Sequence, residues 1–239
     1  MSNTFTVFGL QRSGTNFLEQ LLKNNVSQVN IVNRWKSGDG IWKHAYDIEK
    51  KPTDGKTAGE QGDKRKAEMI GNRIHSIYIH KHPYSWLQSI TNKHVDIKKT
   101  YPFVTDHSTI MLKDLNLIRL TQLYRDHTAY WLDKVETRNV YQVKYEDLIE
   151  SESHTKEIVK DIASFFDRKI KHKTIQIPNR VSQSKQFTEE ERERYKKYQI
   201  QTLSYEHIQE INRILNRDHL EKQGYDLIET ERDYRAHKV

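Results

Sequence analysis

Residues 4–24 read Thr4-Phe5-Thr6-Val7-Phe8-Gly9-Leu10-Gln11-Arg12-Ser13-Gly14-Thr15-Asn16-Phe17-Leu18-Glu19-Gln20-Leu21-Leu22-Lys23-Asn24, and this stretch decides the fold. Thr4 to Phe8 is a short run of β-branched and aromatic residues that reads as a buried strand. A tight glycine-bearing loop follows. From Asn16 to Asn24, Phe17, Leu18, Leu21 and Leu22 recur at helical spacing on one face. Strand, loop and helix N-terminus together make an anion site, because backbone N–H groups converge there and the helix dipole adds partial positive charge. Gly9 and Gly14 have the four-residue gap of the Walker loop, but Thr15 stands where that loop carries its Lys. The Walker Lys serves the β and γ phosphates of a nucleoside triphosphate. Here the cation is inside the loop, at Arg12, and a ligand with one 5′-phosphate and one transferable group needs no Lys at position 15.

Outward from this stretch, strands keep alternating with helices. Ile74 to His80 predicts a strand, and Pro83 opens a helix through Thr91, since Pro fits the first helical turn. Asp114 to Val135 has the spacing of a long amphipathic helix, with Leu117, Leu120, Leu123, Tyr124, Tyr130 and Trp131 on its buried face. Asn139 to Val143 predicts a strand and Thr155 to Phe166 a helix. The remainder reads as helical and strongly charged through Tyr205 to Gln223, with Gly224 as a C-cap. Residues 33–66 read as polar loops with a short strand near Ile41 to His44. The expected fold is α/β: one domain over residues 1–239, with a central parallel sheet covered by helices on both faces and a P-loop-like loop after the first strand.

The composition is polar, 35% hydrophobic and 31% charged, but 13 Tyr, 7 Phe and 4 Trp supply a core. The net charge is +7, which admits nucleic acid, an anionic membrane surface or a small anionic ligand as partner. Bases interleaved with acids, as in Glu189 to Arg194, read as a solvated surface, so no nucleic-acid partner is expected. The chain has no Cys, which rules out disulfides and thiolate metal sites and makes a cytoplasmic setting the default. Neither a signal peptide nor a run of 18 apolar residues is found, so no transmembrane anchor is expected.

Gln11-Arg12-Ser13-Gly14-Thr15-Asn16-Phe17-Leu18 resembles the 5′-phosphosulfate loop of sulfotransferases that use 3′-phosphoadenosine 5′-phosphosulfate (PAPS), whose common forms are P-K-S-G-T-T-W-L and P-R-S-G-T-T-L-L. The resemblance implies that Arg12 is the catalytic cation and that Gln11, Ser13, Gly14, Thr15 and Asn16 hold the phosphosulfate. The family's 3′-phosphate motif is a strand ending in Arg, with a Ser eight residues later. Here the strand ends at His80, Lys81 stands in place of that Arg, and Ser89 lies eight residues on. Taken without the first loop, Lys81 reads as a surface cation. Val143-Lys144-Tyr145-Glu146-Asp147-Leu148 is similar to the family's V-R-Y-E-D-L segment, with a structural role implied and Asp147 as an N-cap. Leu220 to Tyr225 is similar to the L-x-x-L-G-Y ending of bacterial members, with Gln223 in place of Leu.

The implied reaction is sulfuryl transfer from PAPS, the co-substrate, to a hydroxyl or amine by in-line displacement, with no metal. The acceptor is a small molecule, glycan or lipid, and the residues do not say which; nor do they give the oligomeric state. Trp42-Lys43-His44 sits near the place of a family K-T-H segment, with one residue fewer between the cation and the base. It makes His44 a candidate general base and Lys43 a candidate contact to the sulfuryl oxygens, with Asp39, Asp47 or Glu49 as alternative bases. Any of Trp35, Trp42 and Trp86 could stack on the adenine or simply pack in the core. Acceptor loops are expected in 33–66 and 94–113. The late R-K-G segment of animal cytosolic members is not found, and the stretch Lys185 to Lys197 is the remaining source of a late cation. Two other classes stay open from the residues alone: a P-loop nucleotide kinase, disfavoured by the missing Walker Lys, and a basic nucleic-acid binder, suggested only by charge.

Overall fold

The computed structural model describes residues 3–32, 74–91, 114–178, 180–182, 185–186, 193 and 198–239. Four parallel strands form one sheet: β1 (Thr4–Phe8), β2 (Asn30–Ile31), β3 (His75–His80) and β4 (Val140–Lys144), in the order β2-β1-β3-β4. Phe5 to Phe8 pair with His75 to Tyr78, and Ser76 to His80 pair with Val140 to Lys144. Among the described residues the helices are α1 (Thr15–Asn25), α2 (Pro83–Thr91), α3 (Asp114–Thr137), α4 (Tyr145–Leu148), α5 (Glu152–Phe165), α6 (Tyr205–Ile214), α7 (Arg217–Lys222) and α8 (Glu231–His237).

Side-chain alternation along the strands builds a core on each face of the sheet. Phe5 and Val7 of β1, Ile77 and Ile79 of β3 and Val143 of β4 face α1 and α5, where they meet Leu18, Leu21, Leu22, Val159 and Ile162. Phe8, Tyr78 and Val140 face the opposite way, onto Trp131 of α3, whose ring stacks on Phe8 at 4.4 Å. A third cluster seals α2 and α3 against α6, through Trp86, Leu120, Ile208 and Ile211. An 11-residue helix such as α1 is marginal in water. Burying Phe17, Leu18, Leu21 and Leu22, each contributing about 1.5–3 kcal/mol relative to exposure, is what holds it.

The late part of the chain departs from a continuous helical reading. The predicted helix from Tyr205 to Gln223 is two helices, because the chain turns extended at Leu215 and restarts with the Asn216 side chain capping His219. Gly224, at φ 72°, follows α7 in the left-handed conformation expected past a helix end. Arg180–Ser182 (β5) and Lys185–Gln186 (β6) form an antiparallel ribbon that the charge-rich sequence concealed. Asp147 lies inside α4 and caps nothing; the side chain that caps the next helix, α5, is Ser151.

Candidate functional site

The strand order places a change of direction between β1 and β3. After β1 the chain crosses by α1 to β2 on one side, whereas β3 lies on the other. In open α/β sheets the crevice outside the strand ends at such a point is where ligands bind. Two of the stretches singled out by sequence meet there: the loop after β1 and the residues after β3.

The loop 9–14 is shaped by close approach. A Cβ on Gly9 would lie 2.4 Å from the Ile79 carbonyl oxygen, so only glycine lets the loop leave β1 beside β3. Arg12 at φ 75° and Gly14 at φ 93° are both left-handed, with Ser13 N–H bonded to the Leu10 carbonyl between them. A left-handed non-glycine residue is strained, by about 1–3 kcal/mol. From the α2 side, the Trp86 indole N–H donates to the Gln11 carbonyl at 2.9 Å and pins the loop. Trp86 is thus a core residue rather than an open stacking face. Gly14 is the N-cap of α1, and among the described residues no side chain caps that end. Ser13 and Thr15 are buried, while Arg12 and Asn16 are exposed. Among the described residues no carboxylate pairs with Arg12.

After β3, Lys81 is 2% exposed, which overturns its reading as a surface cation. Its ammonium donates to Ser89 Oγ at 2.8 Å, and Ser89 donates on to the Ser85 carbonyl at 2.8 Å. The eight-residue spacing therefore does bring cation and hydroxyl together. Tyr145, the first residue of α4, joins this pair to the loop. Its ring lies where a Gly14 Cβ would sit, with Cδ2 at 2.4 Å, and the Lys81 ammonium stands 5.0 Å from the ring centre.

Behind Lys81 runs a buried polar chain that sequence reading missed. Gln142 Nε2 donates to His80 Nε2 at 2.9 Å, so the His80 proton sits on Nδ1 and is given to Tyr225 Oη at 2.9 Å. Tyr225 in turn donates to Glu146 Oε2 at 2.9 Å, and the His82 backbone N–H donates to Glu146 Oε1 at 3.0 Å. Burial pushes the Glu146 carboxyl up from its ordinary range, while the His82 N–H, Lys81 and Tyr225 act to pull it back. Burial, with help from the Lys144 charge, lowers His80 to about 3; burial first, then Lys144 and His237, lowers His82 to about 3 against the opposing Asp226 carbonyl. Both rings are neutral. His82 stacks on Tyr198 at 4.0 Å, and Tyr198 is itself left-handed at φ 46°. The Y-E pair of the Val143 to Leu148 segment was the available signal: its tyrosine touches the loop and its acid terminates the chain.

Lys43 and His44, the candidates for the sulfuryl contact and the base, lie outside the described residues, as do Trp35, Asp39, Trp42, Asp47, Glu49 and the acceptor stretches 33–66 and 94–113. Among the described residues, no group of three or more His, Asp or Glu is arranged to hold a metal ion, and no helix is long and apolar enough to cross a membrane. Comparison with protein-family models, with curated proteins and with solved structures gave no match.

Proposed function

We propose that this chain is a sulfotransferase that takes its sulfuryl group from PAPS. The observation that carries the reading is the sharing of one ring: Gly14 of the first loop and the ammonium of Lys81 both lie against Tyr145, at the switch point of the sheet. A loop for a 5′-phosphosulfate and a cation with a hydroxyl for a 3′-phosphate are then close enough to hold the two ends of one nucleotide. The N-terminus of α1 and the left-handed Arg12 and Gly14 turn backbone N–H groups toward an anion. The strain at Arg12 is of the kind that persists at ligand sites.

In the proposed reaction an acceptor oxygen or nitrogen attacks sulfur in line. The bond from sulfur to the phosphate oxygen breaks, adenosine 3′,5′-bisphosphate leaves, and the acceptor proton goes to a base, for which His44 is the candidate. Charge grows on the bridging oxygen as that bond breaks, and Arg12 is the cation assigned to it. Lys81 and Ser89 hold the 3′-phosphate, and Ser13, Thr15 and Asn16 line the phosphosulfate cradle with Gln11. The test is labelled-sulfate transfer from PAPS to a panel of phenols, glycans, lipids and tyrosyl peptides, preceded by thermal unfolding with nucleotides. Adenosine 3′,5′-bisphosphate at a hundred times its dissociation constant is expected to stabilise the fold by about 2.7 kcal/mol. AMP at the same concentration does much less. Equal shifts for the two nucleotides would remove the 3′-phosphate site, and tighter binding of ATP with Mg²⁺ would turn the reading toward a phosphotransferase.

A further inference from the structure

The opposite end of the sheet, where the strands begin, carries a concentration of charge that the proposed transfer does not use. After α5 the chain runs Phe165-Phe166-Asp167-Arg168-Lys169-Ile170-Lys171-His172-Lys173-Thr174, four Lys or Arg against one acid. It crosses the strand starts. The Phe165 ring meets Tyr141, the second residue of β4, edge-on at 5.1 Å. Arg168 Nη2 lies 3.1 Å from Nε2 of His75, the first residue of β3. The Lys169 carbonyl accepts from Ser27 N–H, just past the end of α1.

This stretch is not a loose tail. Ile170 bridges antiparallel to Val26, and Lys171 N–H donates to the Asn25 carbonyl at 2.7 Å. Farther on, Gln176 N–H donates to Asn25 Oδ1 at 2.7 Å, and Asn25 Nδ2 returns a bond to the Gln176 carbonyl at 2.8 Å. Asn25 is wholly buried, so both anchors are firm. Between them Lys171, His172, Lys173 and Thr174 are exposed, as is Lys169. Helix electrostatics explain part of the arrangement: Lys23 sits in the last turn of α1, and Lys171 Nζ donates to the Lys23 carbonyl there. Lys169 and Lys173 have no such partner, and among the described residues no carboxylate pairs with Lys23, Lys169, Lys171 or Lys173. At the same end of the sheet Phe165 is 45% exposed, and apart from Val239 it is the large hydrophobic residue that the described surface leaves open.

We propose that this edge, formed by Lys23, Lys169, Lys171 and Lys173 with Phe165, is a docking surface for an anionic lipid bilayer. Fixed cations lie in the negative potential of such a surface while an exposed ring enters the headgroup boundary. A nucleic acid duplex would use the lysines but offers nothing to Phe165. The surface lies one helix length, about 16 Å for the 11 residues of α1, from the loop after β1. It therefore stands or falls apart from the transferase reading.

The test is sedimentation of the intact chain with phosphatidylcholine vesicles, with and without phosphatidylserine. Binding is expected only with phosphatidylserine and is lost as salt rises. Lys169→Gln, Lys171→Gln and Lys173→Gln together weaken it roughly 100-fold, at about fivefold per lysine. The same three positions changed to Arg keep it, which separates charge from any loss of fold. Phe165→Ala weakens it several-fold. Equal sedimentation with both vesicles, or a triple Gln or Phe165→Ala chain that binds like the parent, overturns the proposal. Duplex DNA bound as tightly as the anionic vesicles, and lost in the triple Gln chain, overturns it in favour of a nucleic-acid partner.

Discussion

At one end of the sheet the lysine that matters is buried, hydrogen-bonded and held against an aromatic ring; at the other the lysines are exposed and, among the described residues, no carboxylate pairs with them. Lys81 costs desolvation and has a fixed place, so its effect depends on geometry to a few tenths of an ångström. Lys169 and Lys173 cost little and act by number, through a field that salt screens. The same residue type thus does two kinds of work, and the difference is set by what surrounds it rather than by the charge.

The largest effect is expected at Arg12, which belongs to the geometric end although its side chain is exposed. Arg12→Ala should lose ~10²–10³ in turnover at saturating PAPS while keeping its fold and much of its cofactor affinity, because the contact strengthens only as the leaving oxygen gains charge. Arg12→Lys should restore part of the rate. Single-turnover measurement decides it, and normal turnover in Arg12→Ala would put this residue with the surface cations. Next comes Lys81→Ala, which should weaken adenosine 3′,5′-bisphosphate by roughly 30-fold or more, the cost of removing one member of a buried charged hydrogen bond. Rate at saturation should change far less, since the 3′-phosphate is remote from the reacting sulfur. Titration calorimetry reads the affinity, and an unchanged value would show that Lys81 serves only Ser89 and Glu146.

A smaller effect tests the joint between loop and strand. Gly14→Ala puts a methyl group into the Tyr145 ring and strains a left-handed residue, and should destabilise the fold by about 1–3 kcal/mol or more in urea unfolding. A stability within error of the parent would mean that the ring is free to yield. The smallest per-step effect is with pH. His80 and His82 are lowered to about 3 in the folded chain, so above about pH 6.5 neither folded nor unfolded state carries the proton and the stability is whole. As pH falls from there toward 3, the unfolded chain takes up protons that the folded chain refuses. Stability then drops by up to about 1.4 kcal/mol per pH unit for each histidine. Glu146, whose carboxyl is raised by burial, works in the opposite sense and makes the slope shallower at the acid end. Urea midpoints at pH 7.5, 6 and 5 measure this, and a flat profile would contradict buried neutral rings.

Much of the geometric end was legible because local rules set it. The strand Thr4 to Phe8, the glycines at 9 and 14, the cation at 12 and the Pro83 helix start all follow from short-range sterics and periodicity, and each element lies within two or three residues of its expected bounds. The spacing from Lys81 to Ser89 needed only helical geometry. What stayed hidden was nonlocal. Nothing near Tyr225 says that its hydroxyl will bridge His80 and Glu146, and a buried Lys81 cannot be told from an exposed one without knowing what packs over it. The basic edge was hidden for a different reason: spread over the whole sequence the charges look dispersed, and only the anchoring of 169–176 to Asn25 gathers them with Lys23.

The bond between His80 and Tyr225 spans 145 residues. On a ribosome adding about 5–20 residues per second, roughly 7–29 s separate the synthesis of the two. From residue 175 onward the sheet core and the loop after β1 have what they need, while His80 and Glu146 still wait for their phenol. The Glu146 carboxylate must stay hydrated until Tyr225 arrives, so the drying of these strand ends comes late in the making of this molecule.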